Sequence, residues 1–249
     1  MRAASTTYGA PGRPAIVLLH GIRLGRDIWV QHARALADEF FVITPDLPGH
    51  GCLVDVPFTG ETLSALLDVI LDELVGAPAL IVGYSLGGYA AMSYALARPE
   101  RTCGLVLAGC TLDFDGWKAW PGRVTGWMSR AIPAPLLRTA MRASLRATVG
   151  SLWAETIEPI PFSTDVLMQM QGLAFAARRP SAAMHAYAKP VLYLNGANDL
   201  IFRIDEGRFM RDTPRAELRL IDGVDHTAPL RRAGTFTDLV RAFAQRTAS

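Results

Sequence analysis

Leu80-Ile81-Val82-Gly83-Tyr84-Ser85-Leu86-Gly87-Gly88 is the stretch on which the reading of this chain turns. An apolar, β-branched run ends at Gly83, a helical run extends from Tyr89 to Ala97, and a serine stands at the bend between them. A strand that passes straight into a helix brings together the backbones two residues before and two residues after the bend, so both places call for glycine. Gly83 and Gly87 occupy them. The bend lifts the Ser85 hydroxyl above the sheet edge and sets it at a helix N-terminus, where free N–H groups and the helix dipole favour developing negative charge. Gly-x-Ser-x-Gly is short enough to arise by chance, and the strand before it and helix after it give it weight.

Outward from this motif the pattern repeats. Strands are expected at Ala15 to Leu19, Phe40 to Thr44, Leu80 to Gly83 and Gly104 to Ala108, with helices beginning near Asp27, over Glu61 to Leu74 and from Ser85. After Ala186 the alternation resumes, with strands at Pro190 to Leu194 and Glu217 to Ile221 and helices at Asp205 to Arg211 and Phe236 to Arg246. Short apolar strands alternating with helices specify an α/β protein, a mostly parallel sheet flanked by helices. Residues 112–186 break the rhythm: they lack a strong strand and hold four of the five tryptophans (Trp117, Trp120, Trp127, Trp153). A strand-free stretch between two strands of one sheet must lie outside it, which predicts a helical lid over 112–186, inserted between core segments 1–111 and 187–249.

A serine hydroxyl needs an adjacent base, and the base a third group to fix its tautomer. Of the five histidines, His20 ends the first strong strand, His32 lies within a helix, His50 sits in a Pro-Gly-His-Gly turn and His185 closes the lid. His226 follows a strand and an Asp-Gly turn near the C-terminus, where a loop can reach back over Ser85, and it is the expected base. For the acid, Asp113, Asp115, Asp199, Asp222 and Asp225 all follow strands on the same rim. Asp199 emerges from a short turn at the carboxyl edge, with Asp113 its main competitor. An oxyanion would be met by the N–H of Leu86, just after the serine, and by that of Ile22 in the loop Leu19-His20-Gly21-Ile22, whose turn His20 helps to shape.

At these residues the chain resembles the α/β-hydrolase superfamily over nearly its whole length. Leu19-His20-Gly21, Pro45-Asp46-Leu47-Pro48-Gly49-His50-Gly51, the Ser85 bend, Gly196 to Asp199 and Asp225-His226 occur in the family's order. The resemblance implies a sheet of eight strands or slightly fewer, a lid after the sixth strand, Asp199 as the acid, and hydrolysis through an acyl-enzyme without a cofactor. The N-terminus is short for a full first hairpin. Serine at 85 argues against the family's dehalogenases and epoxide hydrolases, which place aspartate there. Family resemblance narrows fold far more than substrate. The expected activity is cleavage of a carboxylic ester. A thioester, lactone or carbon–carbon bond, or a non-catalytic ligand receptor, are the alternatives.

Composition sets the remaining bounds. The formal charge is +2, with 25 Lys and Arg set against 23 Asp and Glu, which leaves no electrostatic footprint for nucleic acid. The residues before Pro14 do not resemble a secretory signal, no apolar run approaches the roughly 20 residues of a membrane span, and Cys52, Cys103 and Cys110 lack metal-type spacing. A cytoplasmic enzyme without a metal site is expected. The lid's tryptophans and its Met128, Met141, Met168 and Met170 favour an apolar acyl or ring-bearing small molecule as partner. Arg138, Arg142 and Arg146 recur every fourth residue, which reads as a solvated helix face.

Overall fold

The computed structural model describes residues 4–119 and 179–247, with 132–133, 135–136, 139–140, 143, 146–147 and 161 between them. Seven strands form one sheet: β1 (Ser5–Tyr8), β2 (Ala15–Leu19), β3 (Phe41–Pro45), β4 (Ala79–Tyr84), β5 (Thr102–Ala108), β6 (Val191–Gly196) and β7 (Ala216–Ile221), in the order β1-β3-β2-β4-β5-β6-β7. β1 runs antiparallel to β3 and every other pairing is parallel. A single edge strand stands in place of an N-terminal hairpin, so the segment expected after a sixth strand follows the fifth here. Most of 112–186, including Trp120, Trp127, Trp153, the four lid methionines, Arg138 and Arg142, lies outside the described residues.

The continuous apolar runs of the strands follow from burial on both faces. Along β2, Val17 and Leu19 point to one face while Ile16 and Leu18 point to the other. The first face is covered by α2 (Gly60–Ile70) through Leu63, Leu66, Leu67 and Ile70 and by α3 (Leu86–Ala97) through Ala90, Ala91 and Tyr94. The second is covered by α1 (Val30–Leu36) through Ala33 and Leu36 and by the C-terminal helix (Ala233–Thr247) through Phe236, Val240, Phe243 and Ala244. A reciprocal pair of hydrogen bonds between Thr59 and Thr62 starts α2, and a wide turn at Leu71–Val75 ends on left-handed Gly76.

Strand register lines up the carboxyl ends. Leu19 stands opposite Gly83, Tyr84 opposite Ala108, Ala108 opposite Leu194 and Gly196 opposite Ile221. The loops carrying His20, Ser85, Gly109, Asp199 and His226 therefore leave the sheet along one rim. Sheet growth reverses direction at β2 and β4, and such a switch point is where open α/β sheets form sites.

α3 is buried on all sides from Leu86 to Ala95 and sits close to the sheet because Gly87 and Gly88 in its first turn carry no side chain. A Cβ on Gly83 would lie 2.3 Å from the Gly87 carbonyl oxygen. Gly83→Ala is thus expected to destabilise the protein by about 1–3 kcal/mol, since backbone rather than a flexible side chain blocks the methyl. An unchanged urea-denaturation midpoint would show that the turn has room the structure does not give it.

Candidate active site

Ser85 stands at the bend with φ 52° and ψ −114°, one of two non-glycine residues at positive φ among those described. That conformation costs on the order of 1–3 kcal/mol and persists only where surroundings enforce it. Here the Ser85 N–H donates to the Ala108 carbonyl at 2.8 Å, while Gly87 abuts the Leu19 backbone and Gly88 the Cys110 sulfur. The result aims a buried hydroxyl at His226, whose Nε2 lies 3.0 Å from Ser85 Oγ. His226 Nδ1 lies 2.9 Å from Asp199 Oδ2. A carboxylate only accepts, so Nδ1 carries the ring proton and Nε2 is left to accept from the Ser85 hydroxyl.

Asp199 is held from its other side by the N–H groups of Phe202 at 2.9 Å and Ile201 at 3.1 Å. Burial pushes its pKa up, but the His226 hydrogen bond and the two backbone donors outweigh burial and leave it below the usual carboxylate value. The imidazole is also fixed by packing. Phe202 stacks on it with ring centroids 4.1 Å apart, Tyr84 lies 5.2 Å away, and a Cβ on left-handed Gly109 would come within 2.8 Å of the ring. Asn195 supports this arrangement by accepting from the Gly109 N–H at 3.1 Å and donating to Thr111 Oγ1 and Glu206. Gly109, Asn195 and Phe202 did not stand out in the sequence. The Gly109-Cys110 end of a strand was a visible signal for a left-handed exit, whereas the stacking of Phe202 had none.

The competing acids are occupied elsewhere. Asp113 is fully buried and accepts from the Ser181 N–H at 3.0 Å, the Ser181 hydroxyl at 2.8 Å and Arg208 at 3.4 Å. Asp225 accepts from the Thr227 N–H and hydroxyl, and Asp115 pairs with Lys118, Arg179 and Arg208.

Two buried histidines brace the loop that carries Ile22. His20 Nδ1 donates to the Gly21 carbonyl and its Nε2 accepts from Leu47 N–H, while His50 Nδ1 donates to Pro48 and its Nε2 accepts from Arg23 N–H. Burial holds both neutral, with the His20 pKa pushed down to about 4 and that of His50 to about 3. Asp46 completes the brace by accepting from the N–H groups of Arg26 and Cys52. Leu86 opens α3, and a helix cannot satisfy its own first N–H groups. Gly87 against Leu19 and His20 brings that helix end beside the Ile22 loop. No group of three His, Cys, Asp or Glu residues suited to a metal ion occurs among the described residues, and none of their helices is long and apolar enough to cross a membrane.

Residues 14–233 match the model of the alpha/beta hydrolase fold family. The chain belongs to that family. This hydrolase is 29% identical over 232 residues to a pimeloyl-[acyl-carrier protein] methyl ester esterase of Aromatoleum aromaticum, covering 86% of this chain and 91% of that one. It is 30% identical over 257 residues to the esterase of the same name from Pectobacterium carotovorum, covering 96% and 97%. Among solved structures, MenH from S. aureus superposes with a TM-score of 0.81 at 19% identity, covering 99% of each chain, a likeness of fold.

The neutral histidines set a pH dependence. A histidine free at about 6.5 when unfolded and depressed when folded contributes stability that is whole above pH 6.5 and lost as pH falls toward the folded value. The hydrolase is expected to lose stability steadily from pH 6.5 down to about 4, and His20→Gln to flatten that slope by up to one proton. Urea unfolding between pH 7.5 and 4.5 reads it, and equal slopes in the two proteins would remove His20 from the brace.

Proposed function

We propose that this hydrolase cleaves carboxylic esters through an acyl-enzyme, with Ser85 as nucleophile, His226 as general base and Asp199 as the group that orients the histidine. The observation that carries this reading is the unbroken hydrogen-bonded chain from Ser85 Oγ to His226 Nε2 at 3.0 Å and from His226 Nδ1 to Asp199 Oδ2 at 2.9 Å. His226 takes the hydroxyl proton as Ser85 Oγ attacks the acyl carbon. The N–H groups of Ile22 and Leu86 receive the tetrahedral oxyanion, a contribution of about 3–4 kcal/mol per donor in comparable sites. His226 then protonates the departing alcohol, and water activated by the same ring releases the acid. The arrangement needs no cofactor.

Curated relatives named as methyl ester esterases support an ester over other acyl bonds. We assign the substrate an apolar acyl or ring-bearing character, received beneath a lid formed by residues 112–186 between core segments 1–111 and 187–249. An odd set of cysteines without metal spacing supports a cytoplasmic setting.

Hydrolysis of p-nitrophenyl esters from acetate to laurate tests the assignment, run with a fluorophosphonate label. Ser85→Ala is expected to abolish labelling and lower kcat by at least about a thousandfold while leaving the fold intact. Asp199→Asn should cost far more in kcat than Asp113→Asn, whose effect should fall on stability. A wild type that takes the label but cleaves no ester points to another acyl bond, and one that does neither points to a ligand receptor.

A further inference from the structure

Arg23 follows Ile22 in the loop after β2, and its backbone N–H is employed. It holds φ 64° and its N–H donates to His50 Nε2 at 3.0 Å. Its side chain is not. The residue is half-buried, its Nε is shielded from solvent, and that Nε has no hydrogen-bond partner among the described residues. No described carboxylate lies within ion-pair distance of its guanidinium. Other arginines behave otherwise: Arg26 reaches Asp46, Arg203 pairs with Glu206, and Arg208 touches Asp113, Asp115 and Asp205.

The same contrast shows in protonation. Burial pulls the Arg23 pKa down with no counter-charge acting against it, whereas nearby carboxylates hold Arg203 and Arg208 up. A cation taken partly out of water without a partner is costly, and the cost is recovered when an anion completes it. Its place in the chain is one residue beyond the proposed oxyanion donor.

We propose that Arg23 is a specificity residue that binds an anionic oxygen group, carboxylate or phosphate, carried by the ester substrate. The proposal rests on the esterase reading and adds a substrate class to it: an ester with an apolar acyl or ring portion and a negatively charged substituent within reach of the Ile22-Arg23 loop. The guanidinium fork suits such groups, which it grips through two parallel N–H donors.

The test compares matched pairs of substrates. One arm uses mono-p-nitrophenyl esters of six- to eight-carbon dicarboxylic acids against their neutral methyl-capped counterparts. A second replaces the terminal carboxylate by phosphate. A third puts the charge on the alcohol, setting acyl esters of 4-hydroxybenzoate against those of its methyl ester. The quantity read is the anionic-to-neutral ratio of kcat/KM, in which any general disturbance of the loop cancels. Wild type should prefer the anionic member in at least one arm, and the arm concerned identifies the group as carboxylate or phosphate. Arg23→Gln should lower that ratio by at least about tenfold, the size of a charge-assisted hydrogen bond, and Arg23→Lys should keep part of it. No preference in any arm, or a ratio that Arg23→Gln leaves unchanged, overturns the role of Arg23 while the esterase reading stands. A wild type that cleaves no member of any pair overturns both.

Discussion

Ser85 occupies a backbone conformation that a residue with a side chain enters only at a cost, and the rim of the sheet is arranged around keeping it there. Gly83 leaves room for the Gly87 carbonyl, Gly87 for the Leu19 backbone and Gly88 for the Cys110 sulfur, so the bend is wedged between β2 and β5. The hydrogen bond from Ser85 N–H to Ala108 ties the same residue to the end of β5. A methyl added at Gly83 or Gly87 would push against backbone, which cannot yield without moving a strand, and one at Gly88 would meet the Cys110 side chain. The hydroxyl is therefore placed by the core of the molecule.

The loops around it are fixed in two chemically different ways. On the β2 side the two histidine struts are neutral: His20 and His50 each donate through Nδ1 and accept through Nε2, their rings meeting edge-to-face at 5.0 Å. Burial favours this uncharged form, and the Asp46 carboxylate beside them is met by the N–H groups of Arg26 and Cys52. On the β5 and β6 side the struts are charged. Lys118 reaches Asp115 at 2.8 Å and Asp205 at 2.5 Å, Asp205 accepts from the Asp113 N–H, and Asp113 is closed off by Ser181 and Arg208. Removing one partner from such a group strands a buried charge, which is why these positions hold one another. The arrangement spans residues 113–118 and 181, the two ends of the segment between β5 and β6.

Much of this was legible in the residues themselves. Continuous apolar runs announced strands covered on both faces, and the bend at Ser85 carried its glycines two positions either side. β1 was not foreseen, because Ser5-Thr6-Thr7-Tyr8 is a short polar edge strand whose partner, β3, lies more than thirty residues away in sequence. α2 was read as continuing to Leu74, and the chain instead widens its turn at Leu71–Val75 before Gly76. Both departures belong to places where neighbours along the chain say little about neighbours in space.

The sequence by itself determined a mostly parallel α/β sheet, where the sharp turn lies, and which serine and histidine are available to meet, and its motifs in order carried the resemblance to the α/β hydrolases. The sheet and the turn depend on local backbone requirements and on the period of apolar residues, both properties of adjacent positions. Only the tertiary structure decided which carboxylate faces His226. Asp113 and Asp199 leave neighbouring strand ends, but Asp113 is claimed by Ser181 and Arg208, while Asp199 is presented to the imidazole by the N–H groups of Ile201 and Phe202. Gly109, Asn195 and Phe202 entered on the same terms. Their part lies in distances across separate loops, which exist only once the strands have paired in register.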